Sequence, residues 1–162
     1  LNLFFVIKYK AVILLNQFMK LAIEEARIAM CGGEVPVGAV VTKNGVVVAK
    51  AHNLVEKLHD STAHAEILAI RKAGEALGNW RLTECSLYVT LEPCAMCAGA
   101  IQNARLRRVY FGAFEPNTGA CGSCTNLFLD TQAYKTIDIY PNILEADCRQ
   151  IMQKFFVGRR KD

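Results

Sequence analysis

Residues 90–97 read TLEPCAMC. Cys94 follows Pro93 directly, and Cys97 stands three residues further on. A β-prone run, SLYVTL at 86–91, leads into this stretch, and Ala98-Gly99-Ala100 leads out of it. The pattern is a strand that turns into a helix, with two thiols at the turn. Residues i and i+3 share one face of a helical turn, and a helix N-terminus carries partial positive charge that favours thiolate. On its own the pair reads as a metal site, a redox couple or two packed cysteines.

Working outward, the chain alternates helical and strand patterns. Phe18, Leu21, Ala22, Ala26 and Ala29 fall at helical spacing before Gly32-Gly33. VPVGAVVT and VVVA flank Lys43-Asn44-Gly45, a hairpin signal. Residues 51–61 are loop-like, and Asp60, Ser61 and Thr62 offer caps for a helix that runs to about Leu77. A short helix is expected from Cys94 to Ala104, then a strand at RRVYFGA, a loop over 113–126, a strand at TIDIY and a last helix opened by Asn142 and Glu145. This alternation gives an α/β class, a central sheet with helices on both faces.

The chain of 162 residues is expected to form one domain. Its net charge of +4 permits a nucleic-acid partner without demanding one. Seven irregularly spaced cysteines suit a reducing cytoplasm better than a disulfide scaffold. The apolar segment 1–18 is broken by Lys8 and Lys10, so it makes a poor signal peptide and a poor membrane span. Met19 is the first methionine. The native start is expected near it, with 1–18 an extension outside the core and 19–162 the functional domain.

Two thiolates need a third ligand to make a catalytic zinc site, which leaves one position open for water. The histidines are His52, His59 and His64. His64 is followed by Glu66 in AHAE. In mid-helix, i and i+2 point to different sides. The pair makes sense only at the first turn of a helix, with the metal against the helix end. A second C-x-x-C, Cys121 and Cys124, has no histidine to accompany it and reads as a chance pair in a small-residue loop. Cys31, Cys85 and Cys148 read as packing residues.

H-x-E…P-C-x-x-C is the signature of zinc deaminases. The chain resembles, more narrowly, the bacterial tRNA-specific adenosine deaminase family. The resemblance rests on GEVPVGAVV (33–41), Asn53, TAHAEILAIR (62–71), NWRL (79–82), LYVTLEPCAMCAGAI (87–101), TGACGS (118–123) and FFVGRR (155–160). It implies a three-layer α/β/α fold on a mixed five-stranded sheet, one zinc per chain, a homodimer and an anticodon stem-loop of tRNA as partner. It matches His64, Cys94 and Cys97 to the zinc ligands and Glu66 to the proton shuttle. Asn53 matches the residue that hydrogen-bonds the flipped base, and Val35 a pocket wall.

Departures from the family fall in the RNA-side segments. Phe114-Glu115-Pro116 stands where the family often has an Asp, and Glu115 is expected to bind substrate by accepting a ribose hydroxyl. Ala133-Tyr134-Lys135 replaces an Asn-His pair, and Pro141-Asn142 a Gly pair. Arg105, Arg107, Arg108, Lys154, Arg159, Arg160 and Lys161 are candidates for phosphate contact or simply a solvated surface.

The expected reaction is hydrolytic deamination of adenosine to inosine at the wobble position. One alternative is a deaminase of a free base or nucleoside, of guanine or cytosine type. A non-catalytic structural-zinc RNA module is another, against which Glu66 speaks, because a structural site more often fills its fourth position with Cys or His.

Overall fold

The computed structural model describes residues 3–129 and 137–159. The elements, in chain order, are α1 (Leu3–Cys31), β1 (Gly38–Lys43), β2 (Val46–His52), α2 (Val55–Leu58), α3 (Ala65–Leu77), β3 (Cys85–Leu91), α4 (Ala95–Asn103), β4 (Arg108–Ala113), β5 (Asp138–Tyr140) and α5 (Glu145–Arg159). The five strands form one sheet in the order β2-β1-β3-β4-β5. β1 pairs antiparallel with β2 and β3, whereas β3, β4 and β5 run parallel. The sheet is therefore mixed, as expected.

Each face of the sheet is covered by helices. On one side Ala65, Ala69 and Ala73 of α3 and Ala98 and Ile101 of α4 pack on Ala39, Val41, Leu87, Val89, Val109 and Phe111. Alanines on the inner face of α3 let that helix lie close to the strands. On the other side Phe18, Met19, Ala22 and Ile23 of α1 join Cys148 of α5 against Val40, Tyr88 and Ala113. Neighbouring strand residues thus serve opposite layers, the period-two consequence of the pleat.

The hairpin closes at Asn44 and Gly45, both at positive φ, 51° and 78°. A two-residue turn of this hand matches the twist of the flanking strands, and Asn-Gly adopts it with little strain.

Some boundaries differ from the expected ones. α1 runs through Met19 without a break, and Phe18 is 4% exposed with its ring tilted against Tyr88 at 5.1 Å. Leu15 also packs on that cluster, while Val12, Ile13 and Leu14 are exposed. α3 begins after His64 rather than near Asp60. Asp60 Oδ1 instead accepts the backbone N–H and hydroxyl of Thr62, making a local turn. Residues 55–58 form one helical turn that no local side chain caps. Its N–H groups at Glu56 and Lys57 donate to the buried Glu34 carboxylate, 22 and 23 residues earlier in the chain. No described helix is long and apolar enough to cross a membrane. The Ala133-Tyr134-Lys135 stretch and the basic residues Arg160 and Lys161 lie outside the described residues.

Candidate active site

β3 delivers the chain to Leu91, and Pro93 turns it into α4. Cys94 is the N-cap of α4 and His64 the N-cap of α3, both with extended backbone. Neither side chain caps its own helix. The two turn toward one another instead. His64 Nδ1 lies 3.8 Å from Cys94 Sγ and 3.6 Å from Cys97 Sγ, and all three ligand atoms fall within 4.8 Å of one another.

Ligand bonds of about 2.0–2.3 Å in a tetrahedron place neighbouring ligand atoms about 3.5–3.8 Å apart. Each thiol sulfur already stands at about that distance from the imidazole nitrogen, and the three atoms lie within 4.8 Å of one another, so a zinc ion fits the cluster. Two helix N-termini, with their partial positive charge, meet there and favour thiolate.

Protons are shared unevenly in the metal-free cluster. Hydrogen bonds from the Cys97 thiol and the His64 ring pull the Cys94 thiol down to about 3. Bonding to Cys94, together with burial, pushes the Cys97 thiol up. His64 is raised, chiefly by its hydrogen bond to Cys94. Metal binding at such a site must release protons.

Glu66 lies in the first turn of α3, two residues beyond His64, and is 4% exposed. Its carboxyl is raised above the ordinary range, mainly because burial penalises the charged form. Its own backbone N–H and the His64 charge oppose this, and the Cys97 thiol donates to it. The awkward i, i+2 spacing of His64 and Glu66 is resolved as the sequence requires, with one residue at the cap and the other just inside the helix.

Asn53 follows β2 and is buried. Its backbone N–H donates to Val37 O at 3.1 Å, and its side-chain Oδ1 accepts the Ala65 N–H at 2.8 Å. Asn53 is therefore bonded to the residue between His64 and Glu66, leaving its Nδ2 as the group it can offer a ligand. Val35 is half-buried against the main core cluster. Glu115 is half-buried in the loop after β4, with Oε1 accepting the Asn117 N–H at 2.9 Å.

Other candidates stay apart from the cluster. Among the described residues no second metal-ligating group forms, so Cys121 and Cys124 stand outside one. His52 Nδ1 bonds Glu25 Oε2 at 2.7 Å, and Lys50 joins the same carboxylate at 3.6 Å. Arg105, Arg107 and Arg108 lie around the start of β4, at the opposite end of that strand from Ala113, whose carbonyl accepts the Glu92 N–H.

One buried residue of the opening stretch had no role in the sequence reading. Glu92 is 2% exposed, and its carboxylate accepts hydrogen bonds from the loop 115–123. A carboxylate at the end of an apolar strand was the available signal. Its partners, 23 to 31 residues further on, were not visible.

Residues 14–113 match the cytidine and deoxycytidylate deaminase zinc-binding region. The chain is 47% identical over 147 residues to the tRNA-specific adenosine deaminase of Agrobacterium fabrum, covering 91% of this chain and 97% of that protein. It is 46% identical over 144 residues to the tRNA-specific adenosine deaminase of Bacillus subtilis, covering 89% of each. A solved structure from work on A-to-I editing by tRNA:A34 deaminases at the wobble position superposes with a TM-score of 0.80 at 47% identity, over 83% of this chain and 98% of that one. With a zinc-fitting cluster on the expected fold, and relatives matched over most of their length, the chain belongs to the zinc-binding deaminase family, in its tRNA-specific adenosine deaminase branch.

Proposed function

We propose that this chain deaminates adenosine to inosine at the wobble position of a tRNA anticodon, with His64, Cys94 and Cys97 as zinc ligands and Glu66 as the catalytic proton carrier. The observation that carries the chemistry is the buried Glu66 beside two thiols and an imidazole gathered at two helix N-termini. The substrate is carried by the likeness to tRNA-specific adenosine deaminases.

A zinc ion held by His64, Cys94 and Cys97 would supply a Lewis acid that makes water a nucleophile near neutral pH. Glu66 accepts a proton from the attacking water as the water oxygen bonds to C6. It passes that proton to the adenine ring nitrogen, then carries the proton of the new C6 hydroxyl to the amino group, so that the C6–N bond breaks as the C6 carbonyl forms and ammonia leaves. In the metal-free fold, burial already raises the Glu66 carboxyl above its ordinary range. Asn53 Nδ2 donates to the base, and Val35 lines the pocket. Glu115 is the candidate acceptor for a ribose hydroxyl, with one oxygen already engaged by Asn117.

An RNA substrate also draws support from exposed aromatic surface. Phe114 is 42% exposed and Phe156 47% exposed, and Lys154 is also exposed on α5. The homodimer and the cytoplasmic setting belong to the same reading. The test compares kcat/KM for ammonia release from an anticodon stem-loop, from free adenosine and from guanine. The stem-loop should be strongly preferred, and its binding should weaken as salt rises. Equal or higher efficiency on a free base would move the protein to the free-base branch.

A further inference from the structure

The loop after β4 contains little regular structure, yet it is closely held. Ala120 N–H donates to Pro93 O at 2.8 Å, and Cys94 forms an isolated antiparallel bridge with Gly119. The loop therefore lies directly on the turn that carries the two candidate metal-binding thiols.

The Glu92 carboxylate sits beneath it. Oε2 accepts the Glu115 N–H at 3.0 Å, and Oε1 accepts the N–H groups of Cys121 at 2.9 Å and Ser123 at 3.1 Å. The Ser123 hydroxyl donates to Oε2 as well. An ionised carboxylate offers about four lone-pair sites. All are matched, and every donor comes from this one loop. Gly119 makes the approach possible, since a Cβ there would collide with both the Glu92 carboxylate and the Glu115 carbonyl.

We propose that Glu92 is a positioning residue for substrate: its carboxylate fixes the loop 115–123 against the Cys94 turn and so sets Phe114 and Glu115 where they meet the RNA beside the target base. Full engagement of its lone pairs leaves Glu92 no acceptor site for a metal or a travelling proton, which separates its role from that of Glu66. The RNA in this proposal rests on the function proposed above. The fixing of the loop does not.

The test uses the zinc-loaded full chain and Glu92→Gln. A glutamine has one acceptor oxygen, so part of the donor set faces an amide N–H2. The variant should keep one zinc per chain and lose less than about threefold in kcat, while KM for the stem-loop rises by about tenfold or more. Amide exchange at Glu115, Cys121 and Ser123 should quicken by about tenfold or more while α3 keeps its protection. Ser123→Ala, which removes one exposed donor and leaves the carboxylate in place, should raise KM by about twofold to threefold and carries the test if Glu92→Gln does not fold. Unchanged exchange at the three amides would overturn the fixing of the loop. A loosened loop with unchanged KM would overturn the substrate role. Loss of zinc, or protection lost across the whole fold, would make Glu92 a fold residue only. If the parent chain does not deaminate the stem-loop, the proposed function fails, and amide exchange still decides whether Glu92 holds the loop.

Discussion

Glu66 and Glu92 are both buried carboxylates, one in the first turn of α3 and the other two residues before Cys94. Burial is the same for each, but what surrounds the oxygens is not. Glu92 receives three backbone N–H groups and a hydroxyl. At Glu66, burial outweighs the few groups that favour its charge, and the carboxyl is raised. A carboxylate with every lone pair engaged is a fastener. One that is desolvated and incompletely served is a place to put a proton. Proximity to the motif does not separate the two roles, but counting donors does.

The largest expected effect breaks or keeps this distinction. Glu66→Gln should retain zinc and RNA binding but lower kcat by about 10²–10⁴-fold, because an amide cannot shuttle a proton. Single-turnover rates with metal content and RNA affinity measured on the same sample check this. If Glu92→Gln lowered kcat as far, with KM unchanged, the two carboxylates would have to share one role.

Next in size is the metal. Cys94→Ser should lose the zinc, and the Cys121→Ser/Cys124→Ser double variant should keep it. Chelation should lower the melting temperature, since a ligand present at a thousand times its Kd contributes about 4 kcal/mol to the folded state. Metal analysis that gives the reverse pattern would mean that the wrong cysteine pair has been chosen.

The clustering of His64, Cys94 and Cys97 was legible because the motif is local, with thiols three residues apart and His64 followed two residues later by Glu66. The Asn44-Gly45 turn was legible because its backbone demands those residue types. What sequence did not reveal depends on partners far along the chain. α2 lacks a local cap because Glu34 supplies the acceptor from the other side of the hairpin. Asp60, Ser61 and Thr62 all have capping side chains, yet the N-cap of α3 is His64, the residue whose side chain turns to the thiols. Glu92 could be read as a strand end but not as a fastener, since its donors belong to a loop without periodicity. Sequence pattern reports which face is apolar; it does not report which distant N–H groups converge on one carboxylate.

A smaller effect sharpens the contrast, because the same substitution should have opposite signs at the two positions. Unfolded Glu66 titrates near 4.5, and in the metal-free fold its pKa is higher. Between those values the folded state holds more protons than the unfolded one, so stability falls as pH rises. The favourable, protonated condition is fully present below 4.5 and is lost as pH rises through the folded-state value. Glutamine carries no charge to desolvate. Metal-free Glu66→Gln should therefore unfold at higher denaturant than the metal-free parent near neutrality, and the gap should close toward acid pH. Glu92→Gln should be less stable than the parent, by about 1–3 kcal/mol for each buried donor left unsatisfied. Denaturant titrations at several pH values check both. A gap at Glu66 that persisted unchanged below 4.5 would mean that shape, rather than charge, separates the side chains.

The smallest effect is a control that touches neither carboxylate. We propose that the functional domain needs nothing of the N-terminal segment before Leu15. Val12, Ile13 and Leu14 are exposed, whereas Leu15 and Phe18 pack on the cluster beneath the sheet. A chain that begins at Leu15 should keep its zinc, its kcat and its stability to within about 0.5 kcal/mol, as surface changes usually do. A chain that begins at Met19 loses the Phe18 ring from beside Tyr88. Removing a buried Phe side chain costs about 3–5 kcal/mol, and in the Leu15 start Phe18 lies near the helix end, where fraying reduces what it contributes. The Met19 start should therefore be less stable than the Leu15 start while keeping the same kcat, because its loss falls on the face of the sheet opposite α3 and α4. Unfolding curves and single-turnover rates for the two starts decide it. Loss of activity at the Leu15 start would make the segment before it part of the working protein, and equal stability of the two starts would show that the Phe18–Tyr88 contact contributes nothing.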